Sequence, residues 1–299
     1  MQRGPLHLTY CTNVHPGESL AELLDVLRGP VADVKARVAP SVPFGLGLRL
    51  GNTATAALLR APAALLDLTE ACIEEGLYVF TVNGFPYGDF AAESVKAAVY
   101  DPGWLDPERV AYTLRLARVL SRLPGPARRT ISTVAGGFRP TTDDAAARAR
   151  IGAHLLEAAE GLRTLADETG VSIRLCLEPE PWTTLETTDD AIAFFADHLD
   201  APTTAEHLGL CYDCCHQAVH FEDPAASVRA LVDAGVPIGK VQVSSALHLA
   251  QPADADARAA LAAFNEPRYL HQVVARARDG RLLRAMDLPD LPWDSAEWR

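Results

Sequence analysis

Two stretches, Leu175-Cys176-Leu177-Glu178-Pro179-Glu180-Pro181 and Leu208-Gly209-Leu210-Cys211-Tyr212-Asp213-Cys214-Cys215-His216, each run apolar and then end in an acid. A strand buried on both faces reads as a continuous hydrophobic stretch, and that is the signature of a parallel sheet covered by helices. An acid at the carboxyl end of such a strand lies where parallel α/β folds place their ligands and their chemistry. The pattern predicts a metal site at a barrel mouth, with Glu178 and Asp213 as the leading functional residues.

Further strand-like runs extend the reading outward: Leu6–Val14, Phe44–Leu50, Tyr78–Asn83, Arg129–Thr133, Ile173–Glu178, Leu208–Asp213 and Gly239–Ser244. Between them lie amphipathic segments with apolar residues at three- and four-residue steps, among them Glu18–Leu27, Pro107–Leu123, Ala145–Glu168, Asp189–Leu199 and Pro224–Ala234. Asp106-Pro107 and Asp223-Pro224 place a capping acid before a proline at the first helical position. Strand–helix alternation of this kind forms right-handed parallel crossovers, and about eight units over roughly 250 residues close a TIM barrel. The expected fold is therefore α/β, a (β/α)8-type barrel in one domain over residues 1–299, with an open doubly wound sheet as the alternative. The last unit is the exception. Tyr269–Val274, Asp279-Gly280 and Arg281–Leu283 read as a hairpin, so residues 265–299 are expected to be atypical and the eighth strand–helix unit missing or altered.

Composition narrows the function. With 299 residues, 48% hydrophobic and 22% charged, the chain has the balance of a globular enzyme, and no apolar run is long enough to span a bilayer. Met1-Gln2-Arg3-Gly4-Pro5 leads straight into a strand-like run, which predicts a cytoplasmic protein without a signal peptide. A net charge of −12 opposes a nucleic-acid partner, because duplex binding depends on Lys and Arg replacing counterions. Six cysteines are too few for a disulfide scaffold. Phosphate-binding loops, dinucleotide fingerprints and serine-hydrolase elbows are absent from the sequence.

The candidate site residues sit at strand ends. Glu178 and Glu180 are two apart, so both are expected to face the mouth, Glu178 as ligand and possible base and Glu180 as a substrate contact, unless the prolines leave them in a solvated loop. Asp213 and His216 form a D-x-x-H pair suited to Mn²⁺, Mg²⁺, Co²⁺ or Zn²⁺, with His216 either a ligand or a catalytic substrate contact. Gln242 is a candidate third ligand or a buried, satisfied amide, and Lys240 shares its strand parity. Asn13, His15, Arg49 and Asn83 are candidate hydroxyl binders, and Ser132 and Thr133 add two hydroxyls. Cys211, Cys214, Cys215 and His216 invite a structural-zinc reading, which fails because no second pair completes a tetrahedral set; a reactive thiol at Cys214 or Cys215 stays open.

Glu178, the Asp213/His216 pair and Gln242 at successive strand ends resemble the xylose-isomerase-like TIM-barrel superfamily. In its isomerase and epimerase branch a glutamate, an aspartate, a histidine or glutamine and a final glutamate hold the metal, and Glu178, Asp213 and Gln242 match the first three in order. His7–Glu18, Thr81–Gly88, Cys211-Tyr212-Asp213 with His216, and Tyr269–Gln272 resemble the metabolite-traffic protein EboE family over nearly the whole chain. That resemblance implies a region beyond Trp298-Arg299 where the final glutamate would be sought. The expected function is a metal-dependent isomerase or epimerase acting on a small polyhydroxylated metabolite such as a sugar or cyclitol. The alternatives are a non-catalytic metabolite-binding or traffic protein and a metal-dependent phosphoesterase or endonuclease-like hydrolase. For the last, His15, His216 and His271 are few.

Overall fold

Seven strands in chain order lie side by side, all parallel: β1 (Tyr10–Cys11), β2 (Phe44–Arg49), β3 (Leu77–Asn83), β4 (Arg128–Val134), β5 (Ser172–Glu178), β6 (Leu208–Asp213) and β7 (Ile238–Gln242). The computed structural model describes residues 1–88 and 95–293. Every residue of β2 and β6 is buried, as expected of strands covered on both faces. Helices cover the outside, two of them starting at the caps expected at Asp106 and Asp223. Asp106, Asp144, Thr187 and Asp223 each accept a backbone N–H from the first turn of Pro107–Arg122, Ala145–Thr169, Thr188–His198 and Pro224–Asp233.

The sheet curls strongly. Strands three apart in a flat sheet are separated by roughly 14 Å, yet Lys240 Nζ on β7 donates to Ser132 Oγ on β4 at 3.0 Å. Gln242 Nε2 on β7 likewise reaches Glu178 Oε1 on β5, across β6, at 3.4 Å. Among the described residues β1 pairs only with β2 and β7 only with β6, so the curl stops short of closure. The (β/α)8-type expectation with an altered last unit thus takes the form of a seven-strand, incomplete barrel.

Where an eighth unit would stand, the chain turns instead into an antiparallel hairpin, β8 (Val273–Arg276) and β9 (Leu282–Ala285), whose turn uses Gly280 at φ +87°. The hairpin docks over the barrel mouth, not into the sheet. Trp182 Nε1 donates to Ala285 O at 3.3 Å. The Arg284 guanidinium lies 4.9 Å from the Trp182 ring and pairs with the buried Glu186.

Two local expectations are corrected. The run Leu6–Val14 is not one strand: Leu6–His7 folds back on Gln2–Arg3, Tyr10–Cys11 alone joins the sheet, and Thr12–Val14 is a 3-10 turn. Gly4 at φ +60° allows the tight return, and Leu8 N then bonds Met1 O at 3.0 Å. The helix expected over Glu18–Leu27 is helical only over Leu20–Val26. It widens at Leu27–Val31, because Pro30 has no N–H to give to the ladder, and then continues over Ala32–Val38. No helix among the described residues is long and apolar enough to cross a membrane.

The loop after β3 is held by one buried cation. Arg109 donates from Nε to Pro102 O at 2.6 Å and from one terminal nitrogen to Gly84 O and Phe85 O, each at 3.0 Å. Replacing Arg109 by Ala leaves three carbonyls in a dry environment without their donor. Urea unfolding is expected to show a loss of about 3 kcal/mol in stability. An unchanged midpoint would show that the loop does not depend on this side chain.

Candidate functional site

A cavity of about 260 Å³ opens at the carboxyl ends of the strands. Its floor and walls include Asn13, Asn83, Glu178, Glu180, Asp213, His216 and Gln242, so the curl brings together seven of the residues expected at strand ends. Glu178 ends β5, and Asp213 and Gln242 are direct register partners on β6 and β7.

Asp213 is both a cavity residue and a helix cap. Its Oδ1 accepts from Ser244 Oγ at 2.5 Å, from Cys215 N–H at 2.9 Å and from His216 N–H at 3.4 Å. Burial raises its pKa, but His216 and the bonds from Ser244 and Cys215 outweigh that and hold it below the usual carboxylate value. Glu178 lies deeper. Desolvation pushes its pKa up and Asp213 adds to the rise, while His216 and Lys240 oppose it. Burial also lifts Glu180 to about 7 against the pull of His216.

His216 is held from both sides: its Nδ1 is 3.2 Å from Pro179 O, and its Nε2 is 3.4 Å from Glu180 Oε2. Desolvation disfavours its charged form, yet the Cys215 contact and the carboxylates Glu180, Asp213 and Glu178 raise its pKa to about 10.

Two buried acceptors on this cavity, Glu178 Oε2 and Asn13 Oδ1, have no hydrogen-bond partner among the described residues. An unpaired buried acceptor is costly to keep, so the cavity calls for a donor or a cation from outside the chain. The carboxylates of Glu178 and Asp213, the Gln242 amide and the His216 imidazole form an oxygen and nitrogen donor set that suits a divalent ion, and the orphaned Glu178 Oε2 fits one.

Three expected site residues lie elsewhere. His15 Nε2 contacts the Tyr10 hydroxyl at 2.9 Å. Arg49 is buried in an ion pair with Glu18 and donates to Gly17 O at 2.9 Å. Lys240 sits beneath the cavity on Ser132, whose hydroxyl donates to Asn83 Oδ1 at 3.0 Å. Among the described residues the three histidines weighed for hydrolysis do not form a metal-holding group, and His271 Nδ1 is engaged by Asp287 Oδ1 at 2.5 Å.

Other cavity residues carried no strand-end signal. Tyr100, Lys96, Tyr269, Leu270 and Gln272 close the mouth. Gln272 Nε2 donates to the Tyr100 hydroxyl at 2.9 Å and to Pro181 O at 3.0 Å. Lys96 Nζ bonds Tyr269 O at 2.7 Å and Asp287 Oδ2 at 2.6 Å. Burial opposes the charge on Asp287, but the bonds from Lys96 and His271 hold its pKa down at about 2. Lys96, Trp182, Phe221 and Gln272 are the non-glycine residues with positive φ among those described, and each lies in this segment or touches it. Four backbone positions in or against the docked hairpin thus adopt conformations that side chains disfavour.

An incomplete parallel α/β barrel with carboxylates converging at the strand ends defines the class. Residues 51–264 match the model of the xylose isomerase-like TIM barrel family, and the chain belongs to that family. No curated protein matches the chain. Among solved structures it is similar to a xylose isomerase-like TIM barrel protein from Mycobacterium smegmatis in complex with magnesium, at 16% identity over 75% of this chain and 71% of that one, TM-score 0.48. A family 2 AP endonuclease from Brucella melitensis is similar at 16% identity over 75% and 78%, TM-score 0.47. The probable 3-DHS dehydratase AsbF, involved in petrobactin synthesis in Bacillus anthracis, is similar at 15% identity over 76% and 70%, TM-score 0.46.

The hairpin's grip on the mouth is testable at Arg284. Glu186 also faces Arg139 at 3.2 Å, so Arg284→Ala does not strand a buried charge and is expected to cost only about 1 kcal/mol overall. Its signature is local: amide exchange should rise over residues 272–285 while the strands stay protected. Uniform exchange across the chain would show that the hairpin is not a separately released unit.

Proposed function

We propose that the chain is a metal-dependent isomerase or epimerase of the EboE type, a cytoplasmic protein acting on a small polyhydroxylated metabolite such as a sugar or cyclitol in secondary-metabolite processing or traffic. The observation that carries this is the pair of unpartnered acceptors, Glu178 Oε2 and Asn13 Oδ1, buried on one cavity with Asp213, His216 and Gln242. A cavity of about 260 Å³ suits a ligand of sugar size.

Glu178, Asp213, His216 and Gln242 would hold the ion, which as a Lewis acid would polarise a carbonyl and acidify the adjacent C–H bond. Glu178 is also the carboxylate best placed to take that proton and return it. Glu180, fastened between His216 and the Tyr100–Gln272 side of the mouth, binds substrate hydroxyls. Asn13 Oδ1 accepts from a hydroxyl, and Asn83, braced by Ser132 and Lys240, orients another. The aromatic and apolar wall of Phe85, Tyr100, Tyr269 and Leu270 excludes water.

A specific observation favours a second reading, a non-catalytic carrier on the same barrel. Among the described residues the C-terminal segment offers the cavity Tyr269, Leu270 and Gln272 and no second carboxylate opposite Glu178.

Elemental analysis is expected to find one divalent ion per chain, and Glu178→Gln combined with Asp213→Ala to lower occupancy at least about tenfold. Full occupancy in that double variant would end the metal assignment. With metal bound, exchange with D₂O of the hydrogen on the carbon next to the carbonyl of a ketose or keto-cyclitol should fall by about 10² or more in Glu178→Gln alone. Tight binding of such a carbonyl-bearing sugar or cyclitol with no exchange in the wild type would assign the carrier role.

A further inference from the structure

Asp213, Cys215 and His216 each offer a ligand atom, and the three atoms lie within 4.8 Å of one another. Among the described residues no other group of histidine, cysteine and carboxylate side chains is so arranged. The cause is local. Asp213 caps the helix Cys214–Val219 by accepting the N–H groups of Cys215 and His216, which folds the first turn back on the carboxylate. Ser244 Oγ bonds both Asp213 Oδ1 and Cys215 N–H, at 2.5 and 3.0 Å, and fastens this turn to the end of β7. The Cys215 sulfur thus stands within 4.8 Å of a ligand atom of both the carboxylate and the imidazole.

The other cysteines lie outside this group. Cys72, Cys176 and Cys211 are buried, and desolvation pushes their thiols well up, Cys72 and Cys176 to about 12. Cys214, although next in sequence, is outside the three-residue group. A second observation points to a ligand at the same place: the unpartnered Glu178 Oε2, on a residue only 5% exposed, lines the cavity that Asp213 and His216 also line.

We infer that Cys215 is a thiolate ligand of the bound ion, and that the centre consequently prefers Zn²⁺ to Mn²⁺ or Mg²⁺. This rests on the metal-dependent reading above and deepens it. Thiolate and imidazole favour zinc-class ions, whereas carboxylates, carbonyls and water suit Mg²⁺ and Mn²⁺. Ligand atoms around tetrahedral zinc stand roughly 3.5 Å apart, so the three side chains need to close by only about an ångström. Binding is balanced by loss of the thiol proton: Cys215 S–H gives its proton to solvent and the sulfur pair goes to the ion. The thiolate supplies the negative donor that no carboxylate of the hairpin brings to the cavity.

The test loads the full-length apoprotein with Co²⁺, whose bond to a thiolate gives a near-ultraviolet charge-transfer band. The band is expected in the wild type and in Cys214→Ser, and absent in Cys215→Ser, with circular dichroism confirming that each variant is folded. Competition against a chromophoric chelator should show Zn²⁺ affinity falling at least about tenfold in Cys215→Ser, with Mg²⁺ affinity unchanged. Zinc binding should release one proton more from the wild type than from that variant. Stoichiometric Co²⁺ uptake without the band, or a band that survives in Cys215→Ser, overturns the thiolate ligand while leaving the metal-dependent reading standing. Failure of the wild type to take up any ion overturns both.

Discussion

The Glu178 carboxylate is the constraint around which this barrel is arranged. It ends a strand buried on both faces, one of its oxygens has no partner among the described residues, and a carboxylate in such surroundings is expensive to keep charged. The groups that moderate the cost come from other strands and loops: Lys240 and Gln242 from β7, and His216 from the helix after β6. They reach it only because the sheet curls. Interior charge and curvature are therefore one problem with one solution, and the cavity is the space that this solution leaves open.

The curl has a second consequence. Among the described residues the sheet has seven strands, which leaves the mouth open on one side, and the hairpin β8–β9 covers it from above instead of extending the sheet. Its hold is polar and cationic, through Lys96 with Asp287, Gln272 with Tyr100 and Pro181, and Arg284 on Trp182 and Glu186. Positive φ at four non-glycine residues accompanies this docking. The same segment also reaches Glu180, through Gln272 and the Tyr100 it bonds.

Much of the architecture was legible because parallel strands buried on both faces announce themselves as apolar runs. β2, β5 and β6 fall where those runs are, and the acid-then-proline caps mark the helix starts after Asp106 and Asp223. The misread segments have local causes. A positive-φ glycine returned the Leu6 run on itself, and Pro30 widened a helix whose hydrophobic period gave no warning. The cavity's mouth was hidden for a different reason. Lys96 and Tyr100 lie far in sequence from Gln272 and Asp287 and meet them only when the hairpin docks, so no spacing rule connects them.

The sequence by itself determined the secondary-structure order, the parallel class and the strand-end positions of Glu178, Asp213 and Gln242, because burial and hydrogen-bond periodicity act over a few residues. Tertiary structure alone decided that Arg49 turns to Glu18, that Lys240 stands on Ser132 beneath the cavity, and that the final segment caps the barrel without closing it. Those outcomes depend on curvature and docking, which sum many weak contacts between distant residues and leave no local pattern to read.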